Sequence, residues 1–163
     1  SKVVEANAEL AARLGVEVRV EAPQERTAAE VDARRVERVL RNLLVNAVEH
    51  AEGRPVDVSI AASATDVAIR VRDHGVGMSP HTVAHVFDRF FRADPARTRT
   101  TGGTGLGLSI AAEDVALHHG VLEAWGVLGE GSSFLVILPR TAGSTVVSRP
   151  LALWEDTAEE ELP

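Results

Sequence analysis

Thr101-Gly102-Gly103-Thr104-Gly105-Leu106-Gly107-Leu108-Ser109-Ile110 is the stretch on which the reading of this chain turns. Glycines 102, 103, 105 and 107 crowd together, and the apolar, helix-compatible run Leu106 to Leu117 follows at once. Glycine permits positive φ and the close approach of another group. A glycine-rich turn that opens a helix offers unpaired N–H groups and the positive end of the helix dipole to an anion. The same residues would also serve as a flexible loop. Two familiar phosphate turns are excluded by spacing. A dinucleotide fingerprint needs Gly-x-Gly-x-x-Gly. Its third position is Leu108 after Gly103-x-Gly105 and Pro80 after Gly75-x-Gly77, and no P-loop lysine follows either turn.

Upstream, Asp32 is a candidate N-cap for a helix running to about His50. Val36, Val39, Leu40, Leu43, Leu44, Ala47 and Val48 recur at helical spacing and predict a broad buried face. Arg38, Asn42, Asn46 and Glu49 step by four, four and three and share another face. Asparagine is an indifferent helix former, so two of them one turn apart beside an apolar stripe need a reason. They serve either as a hydrogen-bonded amide pair or as neutral oxygen donors, one to Mg²⁺ and one to phosphate, since hard cations take oxygen ligands.

Val56–Ile60 and Val67–Val71 alternate as two strands, and the second runs into Asp73-His74-Gly75-Val76-Gly77-Met78. An acidic residue there can accept a bond from an exocyclic amine while the glycines admit a flat ring; a solvated Asp before a turn is the alternative. Ser79 and Pro80 mark the start of a short helix. Phe87-Asp88-Arg89-Phe90-Phe91-Arg92 follows, and its three phenylalanines are expected to anchor the start of a mobile segment. Residues 92–104, rich in Arg, Thr, Pro and Gly, suit a lid, with Arg92, Arg97 and Arg99 as candidate phosphate contacts.

At the ends of the chain, Val3–Leu14 reads as a helix closed by Gly15, and Val16–Val20 as a strand. A helix to about His119 is closed by Gly120. Strands Val121–Trp125 and Ser133–Leu138 follow, the second stopped by Pro139. Residues 143–163 are expected to form a partly disordered tail, with Leu151, Leu153 and Trp154 able to dock.

Composition sets the outer limits. The 163 residues suit one domain with a sizeable core. A net charge of −7 without a basic tract argues against a nucleic-acid surface. The chain has no cysteine, which excludes thiol and disulfide chemistry. No apolar run reaches the roughly 20 residues of a membrane span. Because Ser1-Lys2 opens inside an apparent helix, a segment of a longer protein is expected.

The order of Asn42-Leu-Leu-Val-Asn46-Ala, Asp73-His-Gly-Val-Gly77, Phe87-Asp-Arg-Phe-Phe91 and Gly103-Thr-Gly-Leu-Gly107-Leu resembles the ATP-binding domain of sensor histidine kinases. This is the group that includes gyrase B, Hsp90 and MutL, and the resemblance covers roughly Val16 to Arg140. Val115-x-Leu-His118 and Leu122-Glu-Ala-Trp-Gly126 further resemble one actinobacterial type of these kinases.

The resemblance implies a two-layer α/β sandwich spanning residues 1–142, with 1–15 as entry helix. Its mixed sheet would be backed by helices, and ATP would lie away from the sheet's free face. It implies that Asn46 ligates Mg²⁺, Asn42 contacts phosphate, and Asp73 holds the adenine amino group in a pocket shaped by Gly75 and Gly77. Ser133 would reach adenine through water, and the turn Gly103-Thr104-Gly105-Leu106-Gly107 would donate to phosphates. It implies further a homodimeric, membrane-bound sensor kinase with this domain in the cytoplasm, its own dimerisation segment as phosphate acceptor, and a response regulator downstream.

Two positions depart from the family pattern. Glu49 stands where many members carry Lys or Arg, so charge compensation falls to Mg²⁺ and the lid arginines. Asn42 stands where gyrase-like relatives have a glutamate base, and it cannot take a proton. None of His50, His74, His81, His85, His118 or His119 has the setting of the family's phosphoacceptor, so no autophosphorylation by this chain alone is expected. An anti-sigma-factor type of serine kinase and a non-catalytic nucleotide sensor are the alternative functions.

Overall fold

Asp32 sets the start of the longest helix: its carboxylate accepts the backbone N–H groups of Arg34 and Arg35 at 3.1 and 3.3 Å. The helix then runs Ala33–His50 (α3), with Val39, Leu43, Leu44, Ala47 and Val48 buried. The computed structural model describes residues 2–92 and 106–154. Before α3 come α1 (Lys2–Ala6), α2 (Ala8–Arg13) and β1 (Val18–Glu21). After it come β2 (Val56–Ala62), β3 (Asp66–Asp73), α4 (Pro80–His85), α5 (Gly107–Leu117), β4 (Val121–Val127) and β5 (Gly131–Pro139).

The strands form one mixed sheet in the order β1-β2-β3-β5-β4. β1 and β2 are parallel, as expected when a helical crossover joins them; the remaining pairs are antiparallel. Strand alternation sends Val67, Ile69 and Val71 of β3, and Phe134, Val136 and Leu138 of β5, to the face packed on the helices. Ala68, Leu135 and Ile137 point the other way. The α/β sandwich expected from the resemblance is the fold observed.

Several expectations need correction. The first helix breaks at Asn7, whose side-chain amide donates to the Val3 carbonyl at 2.8 Å, the local competition that makes Asn a helix interrupter. β1 starts later than Val16, because the Val16 N–H bonds the Ala11 carbonyl and finishes the helix end. At the end of α5 the left-handed residue is His119 (φ 55°), one position before Gly120. Phe87 packs edge-on against Phe134 with ring centroids 6.0 Å apart, but Phe90 takes φ 61° and is 69% exposed, so it is not a buried anchor among the described residues.

The largest correction concerns the outer face of the sheet, which is not free. The C-terminal segment through Trp154 lies along it. Val146, Leu151 and Leu153 pack on Ala68, Leu135 and Ile137. The Trp154 ring stacks on Trp125 at 5.5 Å, and the Arg72 guanidinium lies 4.7 Å from the centre of the Trp125 ring. Arg70 donates to the Ala152 carbonyl at 3.0 Å. Asp66 pins the other end: one carboxylate oxygen accepts the Val147 and Ser148 N–H groups and the Thr65 and Ser148 hydroxyls at 2.7–3.2 Å. Residues 155–163 lie outside the described residues.

Candidate nucleotide site

The last turns of α3, the loop after β3 and the start of α5 meet on the helix-covered face. The loop is held to α3 by the Val76 N–H, which donates to the His50 carbonyl at 3.1 Å. Gly75 has to lack a side chain here, because a Cβ would stand 1.8 Å from that carbonyl oxygen. Gly77 is required twice over, by a φ of 76° and by the Val127 carbonyl 1.9 Å from where its Cβ would sit. Asp73, closing β3, is thereby held beside the end of the helix that carries Asn42 and Asn46.

Asp73 is the residue with the most unusual surroundings. It is 1% exposed. One carboxylate oxygen accepts the Gly75 N–H at 3.1 Å; the other is buried and without a partner among the described residues. Burial raises its pKa above the ordinary aspartate range, and the backbone N–H groups of Gly75 and Ser132 and the fields of His50 and Arg72 offset only part of that. A carboxylate in this state is an acceptor in want of a donor.

Asn42 donates its side-chain amide to the Gly107 carbonyl at 2.9 Å and so ties α3 to the start of α5. Leu106 occupies the N-cap position of α5 and supplies no side-chain cap, leaving first-turn N–H groups without that partner. Asn46 is half-buried one turn beyond Asn42, and no hydrogen bond is made to its side chain among the described residues. Glu49, in the next turn, has its pKa raised by partial burial, which His50 partly counters. Arg92 is half-buried at the margin of the described chain; Arg97, Arg99, Gly103, Thr104 and Gly105 lie outside it.

Ser133 does not belong to this constellation. Its hydroxyl donates to the Leu153 carbonyl on the opposite face of the sheet. Strand alternation explains the difference: Ser133 shares the parity of Leu135 and Ile137, whereas Ser132 shares that of Phe134. Ser132 pairs directly with Asp73 across the β3–β5 ladder, so the two occupy one face, and it is 5% exposed. The alternation was readable in the sequence and favours Ser132 over Ser133.

A cavity of about 390 Å³ lies at the opposite end of the helical layer, between Asp32, His118, Pro139 and Thr141. None of the residues that meet around Asp73 lines it.

A turn of this shape stands beside paired helix asparagines and a glycine-opened helix, and sequence relationship gives the arrangement its family. Residues 31–142 match the family described as histidine kinase-, DNA gyrase B-, and HSP90-like ATPase, and the chain belongs to it. It is a histidine-kinase-type ATPase domain. The actinobacterial type indicated by the sequence is MtrB: the chain is 53% identical over 144 residues to the sensor histidine kinase MtrB of Mycobacterium tuberculosis, covering 88% of this chain and 25% of that protein. It is 40% identical over 122 residues to the sensor protein kinase WalK of Staphylococcus epidermidis, covering 73% of this chain and 20% of that one. The chain thus spans about a quarter of the length of the MtrB relatives it matches. Among solved structures, the nucleotide-free catalytic domain of histidine kinase ThkA superposes with a TM-score of 0.74 at 26% identity, covering 86% of this chain and 89% of that one. Full-length ShkA in complex with AMPPNP superposes with a TM-score of 0.75 at 27% identity, covering 92% and 30%.

Proposed function

We propose that this domain binds Mg-ATP and supplies the γ-phosphate to a histidine on the dimerisation segment of a two-component sensor kinase. The observation that carries the reading is the Asp73 carboxylate, buried, raised in pKa and holding one oxygen without a partner among the described residues. Adenine's exocyclic amine is a donor of the right kind for it, and burial of such a pair makes the bond discriminating, because a base lacking the amine would leave the carboxylate orphaned. Gly75 and Gly77 keep the floor flat for a ring, and Ser132 stands on the same face.

The phosphates would run along α3 toward the uncapped start of α5, within reach of Asn42 and of the glycine-rich turn. The residues present fit a magnesium ion held largely by the nucleotide. Asn46 offers a neutral oxygen, and no group of three or more His, Asp or Glu side chains converges as a metal cage among the described residues. Mg²⁺ commonly takes one or two protein oxygens plus substrate phosphates. Glu49 repels phosphate, so positive charge is drawn from the metal and from Arg92, Arg97 or Arg99. As part of a longer chain, the domain would work in a membrane-bound homodimer and act through a response regulator. No helix among the described residues is long and apolar enough to cross a membrane.

Incubation with γ-labelled ATP and a separately made dimerisation segment tests the reading. Acid-labile label on a histidine of that segment, and none on this chain alone, is expected. Label on a serine of an added anti-sigma-type substrate would assign the domain to the serine kinases instead. Nucleotide binding without transfer to either would make it a sensor.

A further inference from the structure

α3 and α5 pack antiparallel, and one polar contact within their seam is not explained by nucleotide binding. Asp114, two turns after Gly107, is 1% exposed, whereas its neighbour Glu113 is exposed. It accepts from Arg38 through both carboxylate oxygens at 2.7 Å, and from Arg35 at 2.9 Å. These hydrogen bonds, Arg38's foremost, hold its carboxyl below the usual aspartate range despite burial. Arg35, Arg38, Asn42 and Asn46 stand at steps of three, four and four along α3 and so form one column facing α5. In the middle of that column Asn42 grips the Gly107 carbonyl; at the end away from Asn46, Arg38 and Arg35 grip Asp114.

A buried ion pair is weak evidence for stability, because taking a carboxylate out of water costs about what the pairing returns. What such a contact does well is fix register. The seam needs this. Ala111 is fully buried there, and undirected apolar contacts fix register less sharply than a forked, directed hydrogen-bond pair. The bidentate Arg38–Asp114 geometry does not tolerate a shift of even one residue, about 1.5 Å along the axis.

We infer that Asp114 is a positioning residue for the phosphate end of the site: its clamp to Arg38 and Arg35 sets α5 along α3 and so holds the start of α5 against Asn42. The inference rests on the nucleotide reading above. It predicts a selective loss, because the adenine end is built on β3 and the loop after it, which Asp114 does not touch.

The test measures Mg-ATP and adenosine binding by calorimetry for the unaltered chain, Asp114→Asn and Asp114→Leu, with urea unfolding of each. Mg-ATP affinity is expected to fall about tenfold in both variants, the equivalent of one displaced hydrogen bond, while adenosine affinity stays within about twofold. Asp114→Leu leaves Arg38 and Arg35 partly exposed and able to reach water, and the urea series separates any change in stability from the change in affinity. An unchanged ratio of Mg-ATP to adenosine affinity in both variants overturns the inference and leaves the proposed function standing. Failure of the unaltered chain to bind either compound overturns the proposed function and the inference with it.

Discussion

β3 begins and ends with a buried aspartate, and the two are treated in opposite ways. Asp66 is fully buried on the outer face, where one of its oxygens takes four hydrogen bonds from Thr65, Val147 and Ser148. Asp73 is 1% exposed on the helix face and takes one side-chain hydrogen bond, from Gly75. Each keeps one buried oxygen without a partner among the described residues, so the orphan atom alone does not separate them. The remaining contacts do. Burial raises both carboxyls, but at Asp66 the hydroxyl and N–H donors win and the pKa is lowered, whereas at Asp73 burial wins. The first is a structural clasp that fastens the C-terminal segment. The second is an acceptor whose environment improves when a donor arrives.

The contrast can be broken most forcefully at Asp66. Asp66→Ala removes the acceptor shared by the Val147 and Ser148 N–H groups and the Thr65 and Ser148 hydroxyls, and is expected to cost about 2 kcal/mol in urea unfolding. A loss under about 1 kcal/mol would remove Asp66 from that role. Asn42→Ala comes next, releasing the Gly107 carbonyl and costing about 1 kcal/mol of stability together with a measurable drop in Mg-ATP affinity by calorimetry. The mildest change is Trp154→Ala, which loses the stack on Trp125 and about 1 kcal/mol or less. In it, near-ultraviolet circular dichroism should lose the Trp–Trp signature while nucleotide affinity is unchanged.

Acid titration sharpens the same comparison through its sign. Asp66 and Asp114 have lowered pKa values, so the stability they give is present above the unfolded aspartate value of about 3.9 and is lost as pH falls through their folded values. Asp73 is raised, so its contribution runs the other way: it favours the fold at low pH and declines as pH rises through its folded value. Urea midpoints across the acid range should therefore fall less steeply with acidification in Asp66→Asn than in the unaltered chain. In Asp73→Asn the decline above about pH 4 should disappear.

Much of the fold was legible because its signals are local. Alternation marked the first three strands, and Asp32 and Ser79 marked helix starts through caps that the structure contains. The pieces of the site were legible for a similar reason, as Asn42, Asn46, Asp73, Gly75 and Gly77 each stand in a short pattern with a chemical motive. What escaped was non-local. Asp114 meets Arg38 across 76 residues, and nothing near it in sequence announces that partner. Leu151, Leu153 and Trp154 were legible as residues able to dock, but the face they take depends on which side of β3 and β5 remains open, a property of the assembled sheet. Ser133 is a different case: period-two alternation from Phe134 places it on the outer face, and Ser132 on the face of Asp73.

The central claim is that Asp73 awaits a ligand donor whereas Asp66 is already committed to the fold. Calorimetric titration of Mg-ATP into the unaltered chain, Asp73→Asn and Asp66→Asn tests it side by side. The account predicts binding to the unaltered chain, its loss in Asp73→Asn with the fold intact by circular dichroism, and its retention in Asp66→Asn at lower stability. Equal affinity in Asp73→Asn and the unaltered chain would contradict it.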